Sequence, residues 1–150
     1  MKKLWLLILF CCIGISSCED EFYTTIPRAD VSFKLDLWNE DHSLNAKMAY
    51  KTFTSRRAET DRMGYAGLLV INGFGNSDIN LYAYDLSCPV ECRADVKVTP
   101  NPEMDGTASC KKCGAVYNIA EGGYPIENGT YWLRTYRVSK GNNGYYHIIN

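Results

Sequence analysis

Four cysteines in two close pairs constrain this chain more than any other feature. Cys88 and Cys92 stand in CPVEC, and Cys110 and Cys113 in CKKCGAVYNI; no other cysteine lies beyond residue 18. Cys-x3-Cys and Cys-x2-Cys are normal spacings for two knuckles that grip one zinc ion. The same four residues could carry iron, as a single tetrathiolate iron or an all-cysteine 2Fe–2S cluster. They could also pair as disulfides, for which four cysteines allow three connectivities. Under each reading Cys88, Cys92, Cys110 and Cys113 must meet in space. The fold therefore has to bring two loops together across the turn-rich stretch VTPNPEMDGTAS. Gly114, directly after the second pair, suits a tight turn whose N–H groups face thiolate sulfur. Lys111, Lys112 and Arg93 could offset thiolate charge, and plain solvent exposure explains them equally well.

The sequence around the cysteines reads as short strands. In VSFKLDL, Val31, Phe33, Leu35 and Leu37 share one face, and Ser32, Lys34 and Asp36 the other. AKMAYKTFT holds Met48 and Tyr50 at period two, and residues 41–53 read as loop then strand. SRRAETDRMG is polar and charged, as a loop would be. YAGLLVI is a continuous apolar run, expected as a buried strand. With the turn NGFGNSD and the strand INLYAYD it predicts a hairpin over residues 65–84. From 88 to 113 apolar periodicity is weak. This region reads as two loops joined by an irregular excursion, with a short strand at VKV. Strands resume at AVYNI, YWLRTYRV and GYYHIIN. Thirteen per cent aromatic residues, eleven of them Tyr, favour strands over helices. The expected fold is all-β: short antiparallel strands over 31–150, with a small cysteine-bearing lobe inserted at about 86–116. A net charge of −1, with no basic cluster, argues against a nucleic-acid partner.

The start of the chain reads as an address. MKK is a basic n-region, and LWLLILFCCIGI is an apolar segment too short for a good membrane span. It closes on ISSC, which resembles the lipobox of bacterial lipoproteins. The resemblance implies a signal peptide over 1–17, lipid on Cys18, and an acidic tether over 18–30. The protein would then be anchored in the cell envelope, at the outer membrane, with no transmembrane helix needed. The EDE that follows Cys18 resembles the acidic export tag of surface-exposed lipoproteins, and a solvated tether accounts for it equally.

The order hairpin, cysteine loop, excursion, cysteine loop, hairpin resembles the Rieske iron–sulfur domain. In that family the first loop is Cys-Pro-His after a strand such as LYAYDLS; here it is Cys88-Pro89-Val90. The second is Cys-x-x-His-Gly before an aromatic strand and a Gly-Pro turn; here it is Cys110-Lys111-Lys112-Cys113-Gly114, then AVYNI and GGYPIENG. The likeness spans roughly residues 31–150 and implies a Rieske-like antiparallel sandwich or barrel. It departs at the ligands, because a Rieske centre needs two His and two Cys. Val90 and Cys113 occupy the histidine positions, while His42 and His147 lie elsewhere. Cys92, two residues past Val90, is the expected substitute ligand. Rieske domains of the respiratory type join their loops by a disulfide, which the resemblance also brings into view.

No nucleophile motif, phosphate loop or His–carboxylate pair stands beside the cysteines, so no catalytic residue is assigned. GFGNSD precedes a strand rather than a helix and reads as a turn. The expected function is a lipid-anchored envelope protein whose cysteine lobe is structural, holding zinc or disulfides, and which acts as an accessory or interaction module. The alternative is a ferredoxin-like electron carrier with iron or a 2Fe–2S cluster on the same cysteines, serving an unknown redox partner.

Overall fold

A computed structural model describes residues 23–150. The expected signal peptide, Cys18 and the start of the expected tether lie outside the described residues. Twelve strands follow in chain order: β1 Val31–Asp36, β2 Tyr50–Phe53, β3 Arg62–Met63, β4 Leu68–Asn72, β5 Leu81–Asp85, β6 Ser87–Cys88, β7 Arg93–Pro100, β8 Thr107–Cys110, β9 Val116–Asn118, β10 Pro125–Glu127, β11 Thr135–Lys140 and β12 Tyr145–Ile149. A 3-10 turn over His42–Asn45 precedes β2. The fold is all-β, as expected. No helix among the described residues is long and apolar enough to cross a membrane.

Seven strands form a nearly closed antiparallel sheet in the order β2-β4-β5-β11-β12-β1-β3. Across its interior the rings of Phe33 on β1 and Phe53 on the edge strand β2 lie 4.7 Å apart. The alternation of β1 is realised: Val31, Phe33 and Leu35 are buried, with Ser32 and Lys34 exposed. A second, five-stranded sheet runs β10-β9-β8-β7-β6.

β4 explains why both sheets need each other. All five of its residues are buried. Successive side chains leave a strand on opposite faces, and here each face has a core. Leu68 and Val70 pack with Phe33, Leu35 and Ile148 inside the barrel. Leu69 and Ile71 pack outward with Val98, Ala108, Tyr117 and Ile119 of the second sheet. β5 does the same, with Ala83 inward and Tyr84 outward. The β4–β5 hairpin is thus a wall shared by two cores, and each buried Leu on it contributes about 2–3 kcal/mol of burial. Gly73, at its end, allows the backbones to touch: a Cβ there would lie 2.1 Å from the Ala120 carbonyl oxygen.

Two expectations change. The stretch from 88 to 113 is not an irregular excursion, because β7 and β8 pair as a hairpin, Val98 opposite Cys110. β7 does alternate, with Ala94, Val96, Val98 and Pro100 set against Arg93, Asp95, Lys97 and Thr99. Only Val98 and Pro100 are buried, and Arg93, Ala94 and Asp95 are exposed, so the segment is too weakly apolar to stand out beside the turn formers that follow. Pro100 sits at the strand end, where a missing N–H is tolerated. The turn formers concentrate in 101–106, where Met104 and Gly106 take positive φ. Residues 23–30 likewise lie on the domain rather than hanging free. Ile26 is 1% exposed, and its carbonyl accepts from Arg134 Nε at 2.8 Å. One apolar side chain in a polar segment suffices to dock it, and composition does not reveal it.

Candidate metal centre

Strand direction brings the two cysteine loops together. β6 and β8 are both antiparallel to β7. They therefore run the same way, and each ends in a cysteine, Cys88 and Cys110. Both loops leave the small sheet from the same end. Cys88 and Cys110 are buried and Cys113 half-buried.

The sulfurs of Cys88, Cys110 and Cys113 all lie within 4.8 Å of one another. The Cys88 and Cys113 sulfurs are 3.6 Å apart. A zinc–sulfur bond of about 2.3 Å sets neighbouring sulfurs of a tetrahedral site roughly 3.7 Å apart. A disulfide needs about 2.05 Å. All four cysteines are free thiols, so neither the disulfide reading nor a cross-loop bridge is realised here. The Tyr117 hydroxyl stands 3.9 Å from the Cys88 sulfur. Backbone N–H groups finish the environment: those of Glu91 and Val90 face the Cys88 sulfur, and those of Cys113 and Lys112 face that of Cys110.

The electrostatics divide the sulfurs. Burial pushes the Cys88 thiol up to about 12, beyond what its two N–H donors offset, and its hydrogen bonds to Cys110 and Cys113 also favour the protonated form. Burial opposes the Cys110 thiolate as well. There the N–H groups of Cys113 and Lys112, with the Cys88 and Cys113 thiols, prevail and hold its pKa below the ordinary thiol value. Burial, reinforced by the sulfurs, drives the Tyr117 phenol well above its usual range, so it stays a donor. Three convergent sulfurs ringed by N–H and O–H donors fit a thiophilic cation such as zinc or iron. The donor set has no histidine and so does not fit a Rieske centre.

Cys92 is not in the cluster. Its thiol donates to the Thr25 carbonyl at 3.1 Å, and the Thr25 hydroxyl donates to the Pro89 carbonyl. The N-terminal segment is thereby strapped to the first loop. His42 lines a separate cavity of about 460 Å³ with Trp38, Lys140 and Tyr146, and His147 is on β12. Tyr117 went unassigned in the sequence, although its place in the aromatic strand after the second loop was a usable signal. Glu91 also went unassigned, although it lies between the first pair. No protein-family model matches the chain, and neither does any curated protein.

Proposed function

We propose that this protein is a lipid-anchored envelope protein whose Rieske-like lobe holds one metal ion, zinc before iron, as a structural centre. It would serve as an accessory or interaction module, with no catalytic step assigned. The observation that carries this reading is the convergence of three sulfurs from two loops at metal-site spacing. When bound, the ion would cross-link the loops through Cys88, Cys110 and Cys113 and add its binding energy to folding. The Rieske-like reading is supported by two cysteine loops at one end of a small sheet stacked on a larger one. The electron-carrier alternative with iron is favoured by Cys113, whose partial exposure would put a redox centre within reach of a partner.

Metal analysis of anaerobically purified protein tests the centre. One colourless zinc per chain is expected. Visible thiolate–iron absorption would move the assignment to electron transfer, and metal-free protein would overturn both. The anchor has its own test. Cys18→Ser should shift the protein from the membrane to the soluble fraction, because the lipid supplies most of the affinity. An unchanged membrane fraction would overturn the lipoprotein reading. If the anchor holds, the seven residue steps from Cys18 to Thr25 span at most roughly 25 Å. The strap from Thr25 to Pro89 and Cys92 would then keep the metal loops near the membrane surface.

A further inference from the structure

The two cysteine loops are one loop used twice, displaced by one residue from what their cysteine spacing suggests. In the first, the Cys92 N–H bonds the Cys88 carbonyl at 2.8 Å; in the second, the Gly114 N–H bonds the Cys110 carbonyl at 2.9 Å. Both bonds reach back four residues. The residue that closes each turn has positive φ, 50° at Cys92 and 74° at Gly114. In each loop the N–H groups two and three residues after the first cysteine face its sulfur. Cys92 therefore corresponds to Gly114. The counterpart of Cys113 is Glu91.

Side-chain directions agree. Outside its chain neighbours, a Cβ built on Gly114 would meet only Asn128 Nδ2, at 3.9 Å, so neither the Cys88 nor the Cys110 sulfur lies within 4 Å of this position. Cys92 looks away from them, toward Thr25. The third position after the leading cysteine looks inward, as Cys113 shows with its sulfur 3.6 Å from that of Cys88. By the same count from the leading cysteine, Glu91 is the equivalent position in the first loop. Its side chain is 18% exposed, and its carboxylate pairs through Oε2 with Lys112 of the opposite loop.

We infer that the fourth ligand of the centre is the Glu91 carboxylate and that Cys92 is not a ligand, an assignment that rests on the metal-centre reading. The carboxylate lies outside the 4.8 Å group formed by the three sulfurs. A rotation of its side chain from Lys112 toward the sulfurs completes the set. Lys112 can keep Oε2 while Oε1 faces the ion, as outer partners of ligating carboxylates do. Three thiolates and a carboxylate suit zinc, cobalt or ferrous iron, which accept mixed sulfur and oxygen ligands. Cys92 closes the turn and holds the N-terminal strap.

Anaerobic titration of the full chain with Co²⁺ tests this, because sulfur-to-cobalt charge-transfer intensity counts thiolates. Three are expected in the wild type and in Cys92→Ser, with affinity unchanged within about threefold, well short of the loss when an oriented ligand partner is removed. Glu91→Gln should keep three thiolates, shift the d–d bands and weaken binding about tenfold or more. Glu91→Cys should raise the count to four, a gain that misfolding cannot mimic. Four thiolates in the wild type, or the loss of one in Cys92→Ser, would overturn the inference and leave the metal centre standing. So would a Glu91→Gln protein with unchanged bands and affinity, or a Glu91→Cys protein that still shows three. Absence of cobalt binding in the wild type would overturn the metal centre itself.

Discussion

The barrel and the lobe differ in what holds them. Inside the barrel, Phe33, Leu35, Leu44, Leu68, Val70 and Ile148 come from strands and turns spread along the chain. The lobe's own contribution is mostly small: Cys88, Val98, Ala108, Cys110 and Ala115, with Tyr117 and Ile119. Its larger partners Leu69, Ile71 and Tyr84 belong to the barrel's outer face. Small side chains bury little apolar area and so stabilise little. The barrel is specified by its chain, whereas the lobe depends on the barrel wall and, under the proposed function, on a metal ion. The boundary between them is a packed surface rather than a hinge.

Removing the metal should separate the two regions most sharply. A ligand present at about a thousand times its dissociation constant stabilises the folded state by about 4 kcal/mol. Chelation should therefore lower the unfolding midpoint and raise hydrogen exchange in β6–β9 more than in β1, β11 and β12. Equal loss of protection in both sheets would show that barrel and lobe unfold as one unit.

Adjacent leucines offer a finer cut. Leu68 and Leu69 are both fully buried but face opposite cores. Either change to Ala should cost about 2–5 kcal/mol. Leu69→Ala should also weaken metal binding, since its core includes Cys88 and Cys110, whereas Leu68→Ala should spare it. Denaturant melts combined with cobalt titration read both quantities. Equal metal affinity in the two variants would break the proposed link between the shared wall and the centre.

A third test addresses the barrel alone. Asp41 is fully buried and accepts from both terminal nitrogens of Arg57, from Lys51 Nζ and from the Asp36 N–H. Burial by itself would raise its pKa, but the hydrogen bonds from Arg57 and Lys51 outweigh it and hold the carboxyl below its ordinary 3.8. A depressed carboxylate stabilises the fold above its unfolded pKa, and that stability is lost as pH falls through the folded one. Wild-type stability should thus drop below about pH 4. Asp41→Asn should remove the buried carboxylate's share of this dependence and cost on the order of 3 kcal/mol, as expected when a buried ion pair loses one partner. The acid limb should be the same with metal chelated, because Asp41 lies in the barrel. A limb that vanished on chelation would place its origin in the lobe.

Legibility in the sequence followed burial. β1 was readable because one face is buried and the other wet, which writes period two into the residues. β4 was readable as a buried run because both its faces meet a core. β7 was readable only as the short strand VKV, since its alternating positions Ala94, Val96, Val98 and Pro100 are small or weakly apolar, only the last two are buried, and turn formers follow directly. The meeting of the cysteine loops followed from the pairing of their motifs. Which residue of CPVEC faces inward did not, because spacing counts cysteines while the turn is set by the backbone. Gly114 was the available clue: it marks the turn-closing position, and the same count from Cys88 lands on Cys92.

The smallest effect probes that clue directly. Gly114 has φ of 74°, a conformation that costs a side chain about 1–2 kcal/mol. A Cβ there would meet only Asn128 Nδ2 at 3.9 Å, so there is no steric clash to add. Gly114→Ala should therefore lower stability by about 1–2 kcal/mol through backbone strain alone. Because the new methyl has neither the Cys88 nor the Cys110 sulfur within 4 Å, cobalt affinity and thiolate count should not change. The matching change in the first loop, Cys92→Gly, removes strain at φ of 50° but also removes the thiol bond to Thr25. These two effects are each of about 1 kcal/mol and oppose one another, so the net change should be near zero. Loop and strap then predict opposite readouts for one substitution: stability holds, while protease access to residues 23–30 rises. If Gly114→Ala instead abolished metal binding, the turn-closing position would lie closer to the ion than Cys92 does, and the equivalence of the two loops would fail.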